Sequence, residues 1–342
     1  MTSLGKEVAI DDIDSELRAF WSSESESTTR ASLMNLVVYS EDGDGLERNT
    51  TIMREITAEH ACRAILVSAH CETCEADVKA WITAHCQLSQ SGGKSVCSEQ
   101  IAFELTGPAS RLLRNIVFAH LDSDLPLIVW WQGELSDTFG ERLYSTIDRL
   151  IVDSTFWKDP LTQYEKLRKT YAAHHFILHD MTWTRSHSIR IALASAFDQA
   201  ELWRSLDDVS KVHFSVGEEF RLSALFVVAW LWEQLGWTWD GGLNFKNKNG
   251  QPVDVQIETT AKDSTHFSRF EIAGNDWSVA AARDKKESRY LHLNTRASFG
   301  ENRRLFPAGK VNSAQRITEQ LARAGQNKLY QKLIPRFCDL MK

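Results

Sequence analysis

The chain has 342 residues, of which 43% are hydrophobic and 25% charged, with 12 Trp, 6 Cys and a formal net charge of −7. That composition belongs to a well-packed globular protein with room for two ordinary domains, and it excludes a disordered chain. The acidic balance sets aside nucleic acid as the main partner, because phosphate binding calls for a basic face. No basic stretch followed by an apolar one opens the chain, and the longest apolar run, Leu222 to Trp232, is too short to span a bilayer. Six Cys without regular spacing point to a reducing compartment, so the expected location is the cytoplasm, with no membrane partner.

Residues 7 to 21 carry Val8, Ile10, Ile13, Leu17, Phe20 and Trp21 at roughly helical spacing and predict a short amphipathic helix. The polar run Ser22 to Thr29 reads as an exposed linker. Leu33 to Tyr39 and Arg63 to Ala69 are β-favouring runs around a helical stretch from about 46 to 59, which makes a parallel βαβ crossover the default. No G-x-G-x-x-G follows the first strand and no G-x-x-x-x-G-K-[ST] occurs, so the unit carries no phosphate-binding fingerprint. Val78 to His85 and Glu99 to Leu105 predict a hairpin around a turn at 89–94. A helix over 109–121, a strand at Leu127 to Trp131, a helix over about 137–144 and a strand at Leu150 to Val152 follow.

Asp159 and Pro160 open a helix to about Tyr171, and residues 183 to 203 have the spacing of another. Lys211 to Val216 is a strand, and Arg221 to Gly236 a strongly apolar helix closed by glycine. Val253 to Thr259, His266 to Ile272, Trp277 to Ala282 and Ser288 to Leu293 form an antiparallel meander. Ser313 to Met341 ends the chain as a helix interrupted near Gly325 and Pro335. The expected fold is an α/β N-terminal domain over 1–175, with a mixed, largely parallel sheet and helices on its faces. An α+β C-terminal domain with an antiparallel meander occupies 176–342.

Three sites come into question. His70, Cys71 and Cys74 lie past one strand, and His85 and Cys86 at the end of another. Thiolates and imidazoles bind zinc, but there is no second C-x-x-C and no H-x-x-x-H, so no metal is assigned and ordinary reduced thiols are the larger share. Cys86 and Cys97 flank the hairpin turn and are candidate redox thiols. The carboxyl ends of the N-terminal strands, with Arg149, Asp153 and Arg185, are the default place for a sugar phosphate or nucleotide in an open α/β sheet. His174, His175, His179 and His187 have no ligand spacing and read as loop and surface histidines. There is no G-x-S-x-G elbow, and no catalytic residue or cofactor is predicted. Trp130 and Trp131 are consecutive, so in a strand they point to opposite faces, which leaves at least one ring for a surface or a helix layer.

Leu125-Pro-Leu-Ile-Val-Trp-Trp131, Asp148-Arg-Leu-Ile-Val-Asp-Ser154 with Thr155 and Phe156, and Thr182-Trp-Thr-Arg185 leading into a helix stand in the chain in that order. With Arg63-Ala-Ile-Leu-Val67 before them and the Trp-rich apolar helix after, they make the chain resemble the OpcA family of glucose-6-phosphate dehydrogenase assembly proteins. The resemblance implies a non-catalytic partner of that dehydrogenase, promoting its active oligomer and its response to substrate in the oxidative pentose phosphate pathway. In some members cysteines link the effect to thioredoxin, which makes thioredoxin a second expected partner. Trp and Arg are the residues enriched at protein–protein hot spots. Trp131, Trp183, Arg185 and Arg190 are therefore the expected partner-binding residues.

Overall fold

Runs of Leu, Ile, Val and Trp without polar alternation suit a sheet covered on both faces, and the first half of the chain builds one. The computed structural model describes the chain except residues 1–2, 24–27, 71, 89–94, 136–140, 261–266, 285–286, 288, 310–311 and 324. It falls into two compact units. The first comprises Met1–Asp153, Glu165–His179 and Val311–Gln326; the second comprises Ser154–Tyr164, Asp180–Lys310 and Asn327–Lys342. Each unit is thus assembled from three segments of the chain. Its helices in the first half are α1 (Ile13–Ser23), α2 (Gly45–Ile56), α3 (Leu113–His120), α4 (Glu141–Tyr144) and α5 (Pro160–His174). Those that follow are α6 (Met181–Arg185), α7 (His187–Ala196), α8 (Ala200–Arg204), α9 (Arg221–Leu235), α10 (Ser313–Ala322) and α11 (Lys328–Leu340).

The first unit is organised on the strands β1 (Lys6–Val8), β2 (Thr28–Arg30), β3 (Asn35–Ser40), β4 (Arg63–His70), β5 (Asp77–Leu88), β6 (Ser95–Thr106), β7 (Leu127–Trp131), β8 (Arg149–Val152) and β9 (Ile177–Asp180). They lie in the order β1-β5-β6-β4-β3-β7-β8-β9, with β2 also paired to β6. The pairs β3·β4, β3·β7, β4·β6 and β7·β8 are parallel, while β5 runs antiparallel to β6 and to β1. From β6 to β9 this is the doubly wound order 3-2-1-4-5-6, in which the sequence of strands reverses beside the first. Leu36, Val37, Val38, Ile65, Leu66, Val67, Val129 and Ile151 fill its core, each nearly inaccessible.

In the second unit the strands are β10 (Lys211–Val216), β11 (Thr238–Trp239), β12 (Asn244–Lys246), β13 (Pro252–Thr259), β14 (Phe267–Ala273), β15 (Trp277–Arg283), β16 (Tyr290–Ala297) and β17 (Gly300–Pro307). Their order is β11-β12-β13-β10-β14-β15-β16-β17, and every neighbour pair is antiparallel except β10·β13. β10, β14, β15 and β16 alternate buried and more open positions, the pattern of a sheet with one covered face. Helix α9 is apolar nearly all round and contacts β10, β13 and α11. Gly236 stops it in the left-handed conformation, φ +64°, which glycine adopts without a Cβ penalty.

The mixed, largely parallel first sheet and the antiparallel meander of the second agree with the expected fold class. Four local expectations do not hold. Thr28–Arg30, which overlaps the supposed linker, pairs as a parallel strand with Ser95–Cys97. Glu7 and Val8, at the start of the expected first helix, belong instead to β1 and pair with β5. The segment 183–203 is three short helices, because the chain breaks at Ser186 and again between Ala196 and Ala200. Finally, α11 runs through Pro335, held by the buried Leu333, Ile334, Phe337 and Cys338 on either side of it.

Candidate functional site

The crevice between the carboxyl ends of β3 and β7, where the strand order reverses, is the place at which such a sheet receives a ligand. Ser40-Glu41-Asp42-Gly43-Asp44 leads from β3 into α2, and Gly45 brings the helix close to the strand: a Cβ there would stand 2.2 Å from Ser40 Oγ. A helix N-terminus in that position favours an anion. Here the chain supplies its own. The exposed carboxylates of Asp42 and Asp44 both pair with Arg48, at 2.6 and 3.4 Å, and Glu41 accepts a hydrogen bond from Tyr39 Oη at 2.9 Å.

The crevice is also bridged. Asn49 Nδ2 donates to Gln132 Oε1 at 3.0 Å, and Gln132 Nε2 donates back to Asn49 Oδ1 at 2.8 Å. Arg48 Nη2 adds a bond to Gln132 Oε1 at 3.3 Å, and the Gln132 backbone amide donates to Tyr39 O at 2.9 Å. Of the residues named for a phosphate site, Asp153 is buried at the carboxyl end of β8. Arg149 starts that strand, at its other end, and donates to the carbonyls of Gln320 at 2.5 Å, Leu321 at 3.3 Å and Arg323 at 2.9 Å. Its guanidinium caps the C-terminus of α10 and is not directed at a ligand.

In the second unit two of the diagnostic stretches meet in a buried polar hub. Asp180, 1% exposed, is the N-cap of α6, and its Oδ1 accepts from the Thr182 amide at 2.8 Å. Its Oδ2 accepts from Ser154 Oγ at 2.8 Å, from Tyr330 Oη at 3.1 Å and from Tyr164 Oη. Burial, with the Asp180 charge beside them, pushes both phenols well above the usual tyrosine range, so each stays a neutral donor. Ser154 Oγ also lies 2.7 Å from Thr182 Oγ1, and Arg185 Nη1 donates to Thr155 Oγ1 at 2.7 Å. Ser223 Oγ ties the Thr182 carbonyl to α9 at 2.8 Å. Asp180 before Thr182 is legible in the sequence as a helix start; Tyr164 and Tyr330 carry no sequence signal for joining it.

The expected partner-binding residues separate into two kinds. Trp131 is 0% exposed, stacked on Tyr39 with ring centroids 3.8 Å apart, and its Nε1 donates to the Glu134 carbonyl at 2.9 Å. Trp130 is buried as well. Neither ring reaches a surface, which leaves the helix-layer half of that expectation; β7 lies between β3 and β8 in the sheet. Trp183, 3% exposed, packs edge-on to Phe226 and carries the Arg190 guanidinium 3.4 Å above its ring. Neither Trp presents itself to a partner. Arg185 and Arg190 are half-buried, with Arg190 Nε also donating to Ser186 Oγ at 3.0 Å.

Cys86 and Cys97 are directly opposite in the β5·β6 ladder, with Cα atoms 4.0 Å apart, and form a disulfide. His85, its sequence neighbour, points to the other face, is buried, and bonds Gln100 at 2.9 Å. The half-site of His85 and Cys86 is therefore split by the pleat. Cys74 is an exposed thiol, Cys71 lies outside the described residues, and no group of three metal-binding side chains converges among the described residues. His179 is not a surface histidine: it is buried, and burial, then Arg149 and Arg323, push it down to about 4.

A doubly wound sheet followed by a mostly antiparallel one is an arrangement that this chain shares with solved oxidoreductases. KijD10, a 3-ketoreductase from Actinomadura kijaniata solved with NADP and TDP-benzene, is similar with a TM-score of 0.53 over 90% of this chain and 95% of that one, at 9% identity. A point mutant of the same reductase, in complex with the same two molecules, gives 0.51 at 8% identity over the same shares. At such identity the likeness is one of fold alone. No curated protein matches the chain. The chain belongs to the OpcA glucose-6-phosphate dehydrogenase subunit family: the model of the subunit's N-terminal domain matches residues 53–169 and that of its C-terminal domain residues 177–334.

Proposed function

We propose that the chain is a non-catalytic assembly factor and allosteric effector of glucose-6-phosphate dehydrogenase, acting in the cytoplasm on the oxidative pentose phosphate pathway. The observation that carries this reading is the presence of both subunit-family domains, in order, on one chain. The bridged, carboxylate-lined crevice supports the non-catalytic part, since the place where this fold would take a dinucleotide phosphate is lined by Asp42 and Asp44 and bridged by Asn49 and Gln132. The alternative, a sugar-phosphate or nucleotide enzyme using that crevice, loses its main support for the same reason. No helix among the described residues is long and apolar enough to cross a membrane.

An effector needs only to bind one state of the enzyme better than another. A difference of about 1–3 kcal/mol changes apparent substrate affinity roughly 5- to 150-fold. Within the expected set the half-buried Arg185 and Arg190 are the partner contacts of this reading, and the buried Trp131 and Trp183 support them as packing. The Cys86–Cys97 pair is the place where a thioredoxin would act. The test mixes the purified chain with the dehydrogenase of the same cell, following complex size and the substrate dependence of NADPH formation. Co-elution with a lowered KM or a larger active oligomer is expected; separate elution with unchanged kinetics refutes the reading.

A further inference from the structure

We infer that the Cys86–Cys97 disulfide locks a latch made of α1 and β2, and that its reduction by a dithiol frees β2 and opens the carboxylate of Glu99; the inference concerns the fold itself and stands apart from the partner proposed above. β2 lies off the main strand path and pairs with β6 at Thr28↔Ser95, Thr29↔Val96 and Arg30↔Cys97, and the Ala31 amide donates to the Cys97 carbonyl at 3.0 Å. The strand is three residues long, with Thr29 and Arg30 exposed, so burial adds little to its hold. Its second attachment is a carboxylate. Glu99, 1% exposed, pairs with Arg30 at 3.0 Å and accepts a hydrogen bond from Trp21 Nε1 of α1 at 2.5 Å. Cys97 and Glu99 are two residues apart and so stand on one face of β6.

The stretch that β2 grips is the free end of the β5·β6 hairpin. Beyond the disulfide, among the described residues, two ladder pairs hold that end, Gln87↔Val96 and Leu88↔Ser95. Its apolar side chains give it no core, since Leu88 is 81% exposed and Val96 37%. The cross-link thus fixes the backbone at Cys97, the last of the three residues that β2 pairs with. Without it the end frays at small cost, so that β2 loses its template and Glu99 loses Arg30. Access suits the chemistry, because Cys86 is exposed while Cys97 is buried. A thiolate of the dithiol attacks Cys86 Sγ, the S–S bond breaks, and Cys97 leaves as a thiolate. The second thiolate of the reductant then attacks its own partner's sulfur in the mixed disulfide, releasing Cys86 and closing the reductant's disulfide. Two electrons and two protons have then passed to the cysteine pair.

Hydrogen exchange of the full chain, read by mass spectrometry well below melting, compares wild type with and without dithiothreitol, Cys86→Ser and Arg30→Ala. In dithiothreitol, exchange over 28–31 and 95–97 is expected to rise on the order of tenfold more than exchange in β3, β4 and β7. Cys86→Ser is expected to match reduced wild type and to ignore the reductant. Arg30→Ala removes a partner of Glu99 and leaves the bond in place, and is expected to speed exchange over 28–31 while 95–97 stays protected. A rise shared equally by all strands, or no rise, overturns the latch, as does Cys86→Ser exchanging like oxidised wild type. Alkylation of both Cys86 and Cys97 before any reductant is added overturns the lock itself. Unchanged protection of 28–31 in Arg30→Ala overturns the part given to Glu99.

Discussion

Replacing Asp180 by Asn tests whether the buried hub holds the second unit together. The amide keeps the shape of the carboxylate but turns one acceptor into a donor. Backbone N–H groups cannot reverse, so the amide oxygen stays toward the Thr182 amide and its NH2 faces Ser154, Tyr164 and Tyr330, whose hydroxyls must rotate to accept. An NH2 has two hydrogens, so two of the three charge-assisted hydrogen bonds become neutral ones and the third is lost. The net difference is about 1 kcal/mol each, or roughly 3 kcal/mol together. Relief of burying a charge offsets part of that. The expected loss is about 2 kcal/mol, a fall of roughly 4–8 °C in the melting of a unit this size. Thermal unfolding at neutral pH measures it, and combining the change with Tyr330→Phe in a double-mutant cycle should give a coupling near ~1 kcal/mol. A variant that melts at or above wild type would refute the reasoning, because the carboxylate would then cost more than its donors return.

Three further outcomes follow from other parts of the chain. His179 is neutral in the fold down to about 4, whereas the unfolded chain takes up that proton near the ordinary 6.5. Acidification through this window therefore destabilises the fold, by on the order of 3 kcal/mol from this group. His179→Gln should flatten the pH dependence of melting there, and parallel curves would count against it. Titration with NADPH, followed by its fluorescence, should show no saturable binding, and a sub-millimolar site would restore the crevice as functional. Reducing the Cys86–Cys97 disulfide, which closes a sequence separation of 11, removes about 3 kcal/mol in the chain-entropy account. The melting temperature should drop in dithiothreitol for wild type and not for Cys86→Ser, and equal responses would show that the bond does not form in solution.

Much of the scaffold is readable because the core strands carry their own signal. Leu127 to Trp131 and Lys211 to Val216 are legible to the residue, being continuous or alternating apolar runs bounded by polar residues. β17 is not, since Glu301, Arg303 and Arg304 break its apolar pattern and its pairing with β16 supplies what the sequence lacks. β2 fails likewise: its Thr and Arg side chains say loop, and only β6 makes them a strand. For the site, residue type misleads. Tryptophan is enriched at interfaces and also in cores, and spacing does not separate the two when both sheet faces are covered, as around Trp131. The exposure of Phe156 beside the buried Ser154 and Trp157 is not legible in residue type either.

The Asn49–Gln132 bridge has a consequence for how the protein responds to its surroundings. A fold that leaves its crevice to a dinucleotide gains about 2.7 kcal/mol when the ligand stands at roughly a hundred times its Kd, and loses that support when the pool runs down. Here two amides, joined at 3.0 and 2.8 Å, close the same gap from within. On the proposed reading the fold draws no such support from a coenzyme in this crevice, and its melting temperature should be indifferent to added NADPH.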